Sequence, residues 1–260
     1  MRGLERQAAA RMGDFDSQEV AITVWGYATL GIRPGDEVMR GLERQAAARM
    51  GDFKAQDVAN MLWGYAVLDI CPLDSLVFSL CERALYHLQQ HSRTDPKVVK
   101  QVHLFLLWRK LHLAGLQKHE NLDIVTALCS ALGDTGKDAL AASPISDTSR
   151  LQAGVAGIVK DLGHRYEDEA VDPRTGYSID ILIKPDGGDS LGTAVEVDGP
   201  HHFLSGERAA NGPTLLKRRL LGHIGYRVVS VPYWEWDQLK GKKEKMAYMQ
   251  ALLQHGNASP

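Results

Sequence analysis

The sequence is poor in several things, and each shortage excludes a class of protein. Its 260 residues hold three cysteines, Cys71, Cys81 and Cys129. An odd number at spacings that match no zinc motif excludes a disulfide framework and reads as reduced core thiols in a reducing compartment. No run of 18 apolar residues occurs, so no segment is expected to span a membrane. Charge of one sign is not in excess either: 30 Lys and Arg against 32 Asp and Glu leave a formal net charge of −2. A polyanion would feel no global pull, and any nucleic-acid contact has to come from local patches. What is present is the balance of a soluble globular chain, 44% hydrophobic and 24% charged, long enough for one large or two ordinary domains.

The amphipathic opening "MRGLERQAAARM" has the composition of a transit peptide, but it is also an internal repeat, so no targeting segment is expected. "MRGLERQAAARMGDF" fills residues 1–15 and returns unchanged at 39–53; "DSQEVAITVWGYATLGIRP" (16–34) then aligns with "KAQDVANMLWGYAVLDICP" (54–72) at 10 of 19 positions. A period of 38 residues predicts a helical solenoid whose units bury their faces against one another. Each unit reads as two helices, over about 36–50 and 55–69 in the second copy. Val38, Leu42, Ala46 and Ala47 mark the first, and Val58, Ala59, Leu62, Trp63 and Ala66 the second. Asp16 with Glu19 predicts an N-cap, and Pro34 and Pro72 follow the second helices. Trp25 and Trp63, at helical spacing among aliphatics, read as core between repeats. Residues 73–133 continue as helices that cap the stack. The chain opens in mid-repeat, and a preceding segment carrying a targeting signal is one expectation.

These features, a 38-residue hairpin whose second helix reads "SQEVAITVWGYATLG" or "AQDVANMLWGYAVLD", resemble the octotricopeptide (OPR) repeat over about residues 1–72. The resemblance implies single-stranded RNA as partner. The family's proline-rich first helix is absent, so no base-reading residue is assigned.

"GDTGKDALAASPISDTSR" (133–150) is the best linker, giving a repeat domain at 1–133, a linker at 134–148 and a second domain at 149–256. In the second domain, hydrophobic periodicity and turn residues predict the order α-β-β-β-α-β-α. The third strand, "TAVEVDG", is unusual: Glu196 and Asp198 share one face and Val195 and Val197 the other. Asp180, in "SIDIL" on the preceding strand, is flanked by Ile179 and Ile181. If the two strands pair, three carboxylates converge. Two such charges 4 Å apart repel by about 4 kcal/mol at an effective dielectric of ~20, so the cluster asks for a cation, a proton or a basic neighbour. Lys217, Arg218 and Arg219 on the next helix, and His201 and His202 after the strand, are the neighbours to hand.

The same order of elements is that of restriction-endonuclease-like nucleases. "VEVDGPHHF" followed by "GPTLLKRRLLGHIGYRVVSVPYWEW" resembles the RAP domain of organellar RNA-metabolism proteins over about 177–254. The fold class expected is therefore an all-α repeat solenoid followed by a restriction-endonuclease-like α/β domain. The resemblance implies a mitochondrial or chloroplast protein acting in RNA processing, stability or translation, with other RNA-processing proteins as partners and no membrane.

It also implies a nuclease-derived site with Asp180, Glu196, Asp198 and Lys217 in catalytic positions, Asp180 and Glu196 holding Mg2+ or Mn2+. Asp198 stands where the endonuclease pattern has lysine, and Lys217 is the substitute charge. Two outcomes stay open: metal-dependent cleavage, or RNA binding without it. A protein-interaction scaffold is a third. His201, His202, Lys217, Arg218, Arg219, Trp234 and Trp236 are the expected RNA contacts, the tryptophans either stacking on bases or filling the gap behind the last strand. "KGKKEK" (240–245) reads as a solvated helix face.

Overall fold

The computed structural model describes residues 11–90, 94–113, 122–142, 149–185, 187 and 190–256. The first copy of the repeat's first helix, at 1–10, lies outside them. The chain divides into two compact units, residues 1–139 with 211–216, and 140–210 with 217–260.

The first unit is helical: α1 (Ser17–Leu30), α2 (Asp36–Ala48), α3 (Ala55–Leu68), α4 (Asp74–Gln90), α5 (Pro96–Leu113), α6 (Leu122–Leu132) and α7 (Thr135–Ala141). The sequence period is visible in it, since α1 and α3 begin at residues 17 and 55, and α2 and α4 at 36 and 74. α1 packs on α3 and α3 on α5, while α2 packs on α4 and α4 on α6, so the helices form two layers. Asp16 caps α1 as expected, accepting from the Glu19 N–H at 2.8 Å while Glu19 accepts from the Asp16 N–H at 2.9 Å. Asp57 repeats half of that device on α3, accepting from the Lys54 N–H at 3.1 Å.

The glycine of the repeated "WGYA" has a structural cause in one copy only. A Cβ on Gly64 would lie 2.5 Å from Val24 Cγ1, so α3 approaches α1 as closely as a missing side chain allows; a Cβ on Gly26 would meet nothing within 4 Å among the described residues. Trp63 is buried, in keeping with a core role. Trp25 is half-buried, with the Lys97 ammonium 5.9 Å from its ring centroid.

Two expectations change. Cys71 is exposed, because it sits in the turn after α3 and not on a helix face; only Cys81 is fully buried, and burial pushes its thiol up to about 12. Part of the expected linker is also helical. α7 forms because "DALA" favours a helix, the Asp134 carbonyl accepts from the Asp138 N–H at 2.8 Å, and Leu140 finds cover.

The second unit runs α8 (Arg150–Asp161), β1 (Tyr166–Val171), β2 (Ser178–Ile183), β3 (Thr193–Asp198), α9 (Gly212–His223, in this unit from Lys217 on), β4 (Arg227–Pro232), α10 (Tyr233–Gln238) and α11 (Gly241–His255). The single final helix of the expected order is two helices, broken at Leu239 and Lys240, with Gly241 at φ +77° opening the second. The sheet order is β1-β2-β3-β4. The first two pairings are antiparallel and β3–β4 is parallel, as a helical crossover through α9 requires.

One face of this sheet is dry. Ile181, Ile183, Val195, Val197, Val229 and Val231 pack with Val155, Ile158 and Val159 of α8, Trp236 of α10, and Met249 and Leu252 of α11. The alternation that sends these residues to one side sends Asp180, Glu196, Asp198 and Ser230 to the other. No described helix is long and apolar enough to cross a membrane.

Candidate nucleic-acid interface and its buried acidic core

Glu196 is 2% exposed and Asp198 1%. Two carboxylates survive there because the neighbouring elements bring their partners. The β2–β3 register pairs Ile181 with Val195. One residue earlier on β2, the Asp180 side chain takes the place of a backbone acceptor, and its Oδ2 accepts from the Val197 N–H at 2.6 Å. Asp180 is thereby fixed beside the strand that carries Glu196 and Asp198.

The other partners come from α9. Lys217 Nζ donates to Glu196 Oε2. Arg218 Nη2 donates to Asp198 Oδ2 at 2.6 Å and to Ser230 Oγ at 2.7 Å, and Ser230 Oγ also donates to Asp198 Oδ2. Ser230 faces Glu196 across the parallel β3–β4 register, which is why a serine interrupts the valines of "RVVSVP".

Burial pushes the Glu196 carboxyl up to about 7, with Lys217 opposing that rise and Asp180 adding to it. Asp180 is raised for the same first reason, burial, again opposed by Lys217. Burial alone would lower the Lys217 ammonium, but Glu196, Asp180 and Asp198 together outweigh it and hold it above the ordinary lysine value. Lys217 is therefore charged at neutral pH. Two polar atoms in the cluster, Glu196 Oε1 and Arg218 Nε, are buried without a hydrogen-bond partner.

The expected contact residues do not share one environment. Lys217 and Arg218 direct their charge inward at the acids. Arg219 is half-buried, and its carbonyl lies 2.9 Å from His223 Nδ1. His201 is exposed; His202 is half-buried, its Nδ1 3.4 Å from Asp198 Oδ1. Burial lowers the His202 imidazole to about 4 despite the adjacent Asp198, so at pH 7 it offers no positive charge to a phosphate. The two tryptophans part company. Trp236 is buried beneath Tyr248 and takes the gap-filling role, whereas Trp234 is half-buried against Phe203 and Tyr233. Of the "KGKKEK" lysines, Lys242 pairs with Asp161 at 2.7 Å, and Lys245 stands 4.8 Å from the Trp236 ring centroid.

A divalent ion on Asp180 and Glu196 was implied by the endonuclease resemblance. The donors do not fit one as they stand. Asp180 Oδ2 is taken by an amide, Glu196 Oε2 by an ammonium and Asp198 Oδ2 by a guanidinium and a hydroxyl. A hard cation asks for about six open oxygen ligands. Among the described residues, no group of three or more His, Cys, Asp or Glu side chains is placed to hold a metal. Lys217 is the cation that the chain itself places beside Glu196.

Sequence reasoning missed three features. Ser230 reads as an ordinary strand residue until β4 is laid beside β3. Asp172, 1% exposed, accepts from Arg174 Nε and Nη2, Thr175 N–H and hydroxyl, and the Tyr226 hydroxyl, knotting the "PRTG" turn to the start of β4. The "PRTG" turn itself is legible in the sequence; the role of Asp172 ahead of it is not. Glu169, at φ +50° on β1, accepts from Gln152 at 2.7 Å and Ser178 at 2.7 Å, next to Asp180.

A mixed four-stranded sheet with one apolar face, and with buried acids balanced by a basic helix on the other, defines the class to which the second unit belongs. Residues 195–252, from β3 into α11, match the sequence model of the RAP domain family. The chain thus carries a RAP domain. Over 107 residues it is 31% identical to a RAP domain-containing protein, chloroplastic, of Oryza sativa subsp. japonica, covering 41% of this chain and 16% of that protein. Over 88 residues it is 36% identical to the human FAST kinase domain-containing protein 3, mitochondrial, covering 30% and 13%. Over 58 residues it is 41% identical to the mouse FAST kinase domain-containing protein 5, mitochondrial, covering 22% and 8%. The chain spans less than a fifth of the length of each of these relatives.

Proposed function

We propose that this chain is an RNA-binding part of a mitochondrial or chloroplast protein acting in RNA processing, stability or translation. In this reading the OPR-like helices select single-stranded RNA, and the RAP domain, on a restriction-endonuclease-like frame, holds RNA without cutting it. The repeat domain, a linker and the RAP-containing domain divide at about 1–133, 134–148 and 149–256. The observation that carries the reading is the inward pairing of the acids. In a domain whose relatives are named chloroplastic and mitochondrial, Glu196 and Asp198 are each met by a cation from α9. Charge that is internally balanced supports a fold and a binding surface, and leaves no open set of oxygens for a hydrolytic metal.

A second reading is a divalent-metal-dependent endonuclease that the repeats target. One observation favours it: Asp180, Glu196 and Lys217 do meet, and Glu196 Oε1 is buried without a partner.

The experiment is equilibrium binding of the whole chain to single-stranded RNA over a salt series, then incubation of the complex with Mg2+ or Mn2+. Salt-dependent binding with intact RNA is expected. Cleavage that Glu196→Ala and Asp180→Ala abolish would replace this reading with the nuclease. Absence of RNA binding at low salt would leave a protein-interaction scaffold.

A further inference from the structure

We infer that the open cavity lined by residues of the 200–208 segment and the start of α10 is a pocket for one unpaired RNA base. This inference rests on the RNA-binding reading above. The cavity measures about 780 Å3, within the ~300–1,000 Å3 of small-ligand sites. Its wall is made by Pro200, His201, Phe203 and Arg208 on one side and by Tyr233 and Trp234 on the other.

Both sides are held in place by the chain itself. Pro200–His202 forms a single 3-10 turn directly after β3. A bridge between Phe203 and Ala210, the Leu204 N–H donating to the Ala209 carbonyl at 2.9 Å, and the Glu207 N–H donating to the Leu204 carbonyl at 3.0 Å close the next residues into a small hairpin. Gly206 sits at its tip with φ +77°, a conformation L side chains rarely adopt. The opposite wall begins where Pro232 ends β4 and starts α10. The backbone of both walls is therefore preformed, and the cavity lies at the C-terminal end of the parallel β3–β4 pair.

The chemistry of the wall selects the occupant. Phe203 meets Trp234 at 4.3 Å with ring planes at 63°, and Tyr233 meets Trp234 at 5.2 Å and 79°. Both contacts are edge-to-face, so neither neighbour lies flat on the indole. The Arg208 guanidinium stands over the Trp234 ring, 5.7 Å from its centroid, on an exposed side chain that can move aside to admit a base and close on it again. With Arg208 swung outward, a planar base entering between indole and guanidinium would be stacked on both faces. Glu207 also lines the cavity. Its carboxylate accepts from the amino edge of a base and repels a phosphate, so the pocket takes the base and leaves the backbone outside.

The test uses the whole chain and 2-aminopurine ribonucleoside 5′-monophosphate, whose fluorescence is quenched on stacking. In parallel, binding of a single-stranded RNA oligonucleotide is measured. Quenching is expected, with adenosine and uridine monophosphates competing and ribose 5-phosphate not competing. Trp234→Ala should weaken nucleotide binding roughly 5- to 150-fold, the range of one base–aromatic stack, whereas Trp234→Phe keeps most of it. Arg208→Ala, at an exposed position, should weaken it several-fold with the circular dichroism spectrum unchanged, and decides the matter if Trp234→Ala does not fold. Oligonucleotide binding without quenching, or binding that neither variant alters, would overturn the pocket and leave the RNA-binding reading intact. Competition by ribose 5-phosphate equal to that of the nucleotides would overturn it in favour of an anion site. No binding of either probe would overturn both.

Discussion

Replacing Lys217 with methionine keeps the length of the side chain and removes its charge, leaving Glu196 facing Asp180 and Asp198 with no cation of its own. The Lys217 and Glu196 side chains are 18% and 3% exposed, so solvent screening discounts little of the effect. Breaking a buried pair by removing one partner costs about 3–5 kcal/mol. The lower end applies, because Glu196 can escape by taking a proton: its carboxyl already sits at about 7 with the lysine present. The cost therefore depends on pH. A carboxyl held higher in the fold than its ordinary 4.5 contributes stability that is complete below about pH 4.5 and lost as the pH rises to about 7. Losing Lys217 pushes that carboxyl higher still and extends the loss upward, at about 1.4 kcal/mol for each unit.

Lys217→Met should therefore cost about 3 kcal/mol at pH 8.5 and about half of that at pH 6. The double variant Lys217→Met, Glu196→Gln should recover most of the deficit at pH 8.5. A chain of two units need not unfold in one step, so the readout is native-state hydrogen exchange on peptides covering β3 and β4. A cost below about 1 kcal/mol at both pH values, or a larger cost at pH 6 than at 8.5, would refute the argument that a buried charge pair organises this sheet face.

Two further perturbations test the frame. Gly64→Ala should cost about 1–3 kcal/mol, because its Cβ would meet Val24 Cγ1 at 2.5 Å, while Gly26→Ala, whose Cβ would meet nothing within 4 Å among the described residues, should be neutral or stabilising by up to ~1 kcal/mol; thermal melts of the two compared side by side check this. Asp172→Ala should cost about 3 kcal/mol by removing the buried acceptor shared by Arg174, Thr175 and Tyr226. Burial works to raise this carboxyl, but those donors outweigh it and hold it below its ordinary 3.8, so its contribution is present above that value and lost as pH falls below it; acid titration of the wild type against Asp172→Ala shows whether this loss disappears.

The parts of this protein that the sequence disclosed are those set by local period. A 38-residue repeat, the Asp16–Glu19 cap and the alternation of "TAVEVD" each follow from spacing along one segment, and spacing survives folding. Asp180, Glu196, Asp198 and Lys217 were legible as a group because the order of strands places β2 and β3 side by side and sends α9 back across them. What lay beyond reach depends on register and on side-chain direction. Ser230 joins the cluster only because it stands opposite Glu196 in a parallel pairing, and Asp180 accepts from the Val197 amide, a bond that no spacing along one segment announces. Trp234 and Trp236 look alike in the sequence, yet α10 carries one to the rim of a cavity and the other into the core. Cys71 was misplaced for a related reason, since periodicity says nothing of residues in a turn.

The proposed function rests on acids that are balanced from within, and on that proposal the chain holds RNA and leaves it whole. The most direct measurement is a time course of end-labelled single-stranded RNA bound to the whole chain, in Mg2+ and in Mn2+. Bound RNA should stay full length in both, with affinity that falls as salt rises. Shortened products that vanish on substituting Glu196 would contradict it.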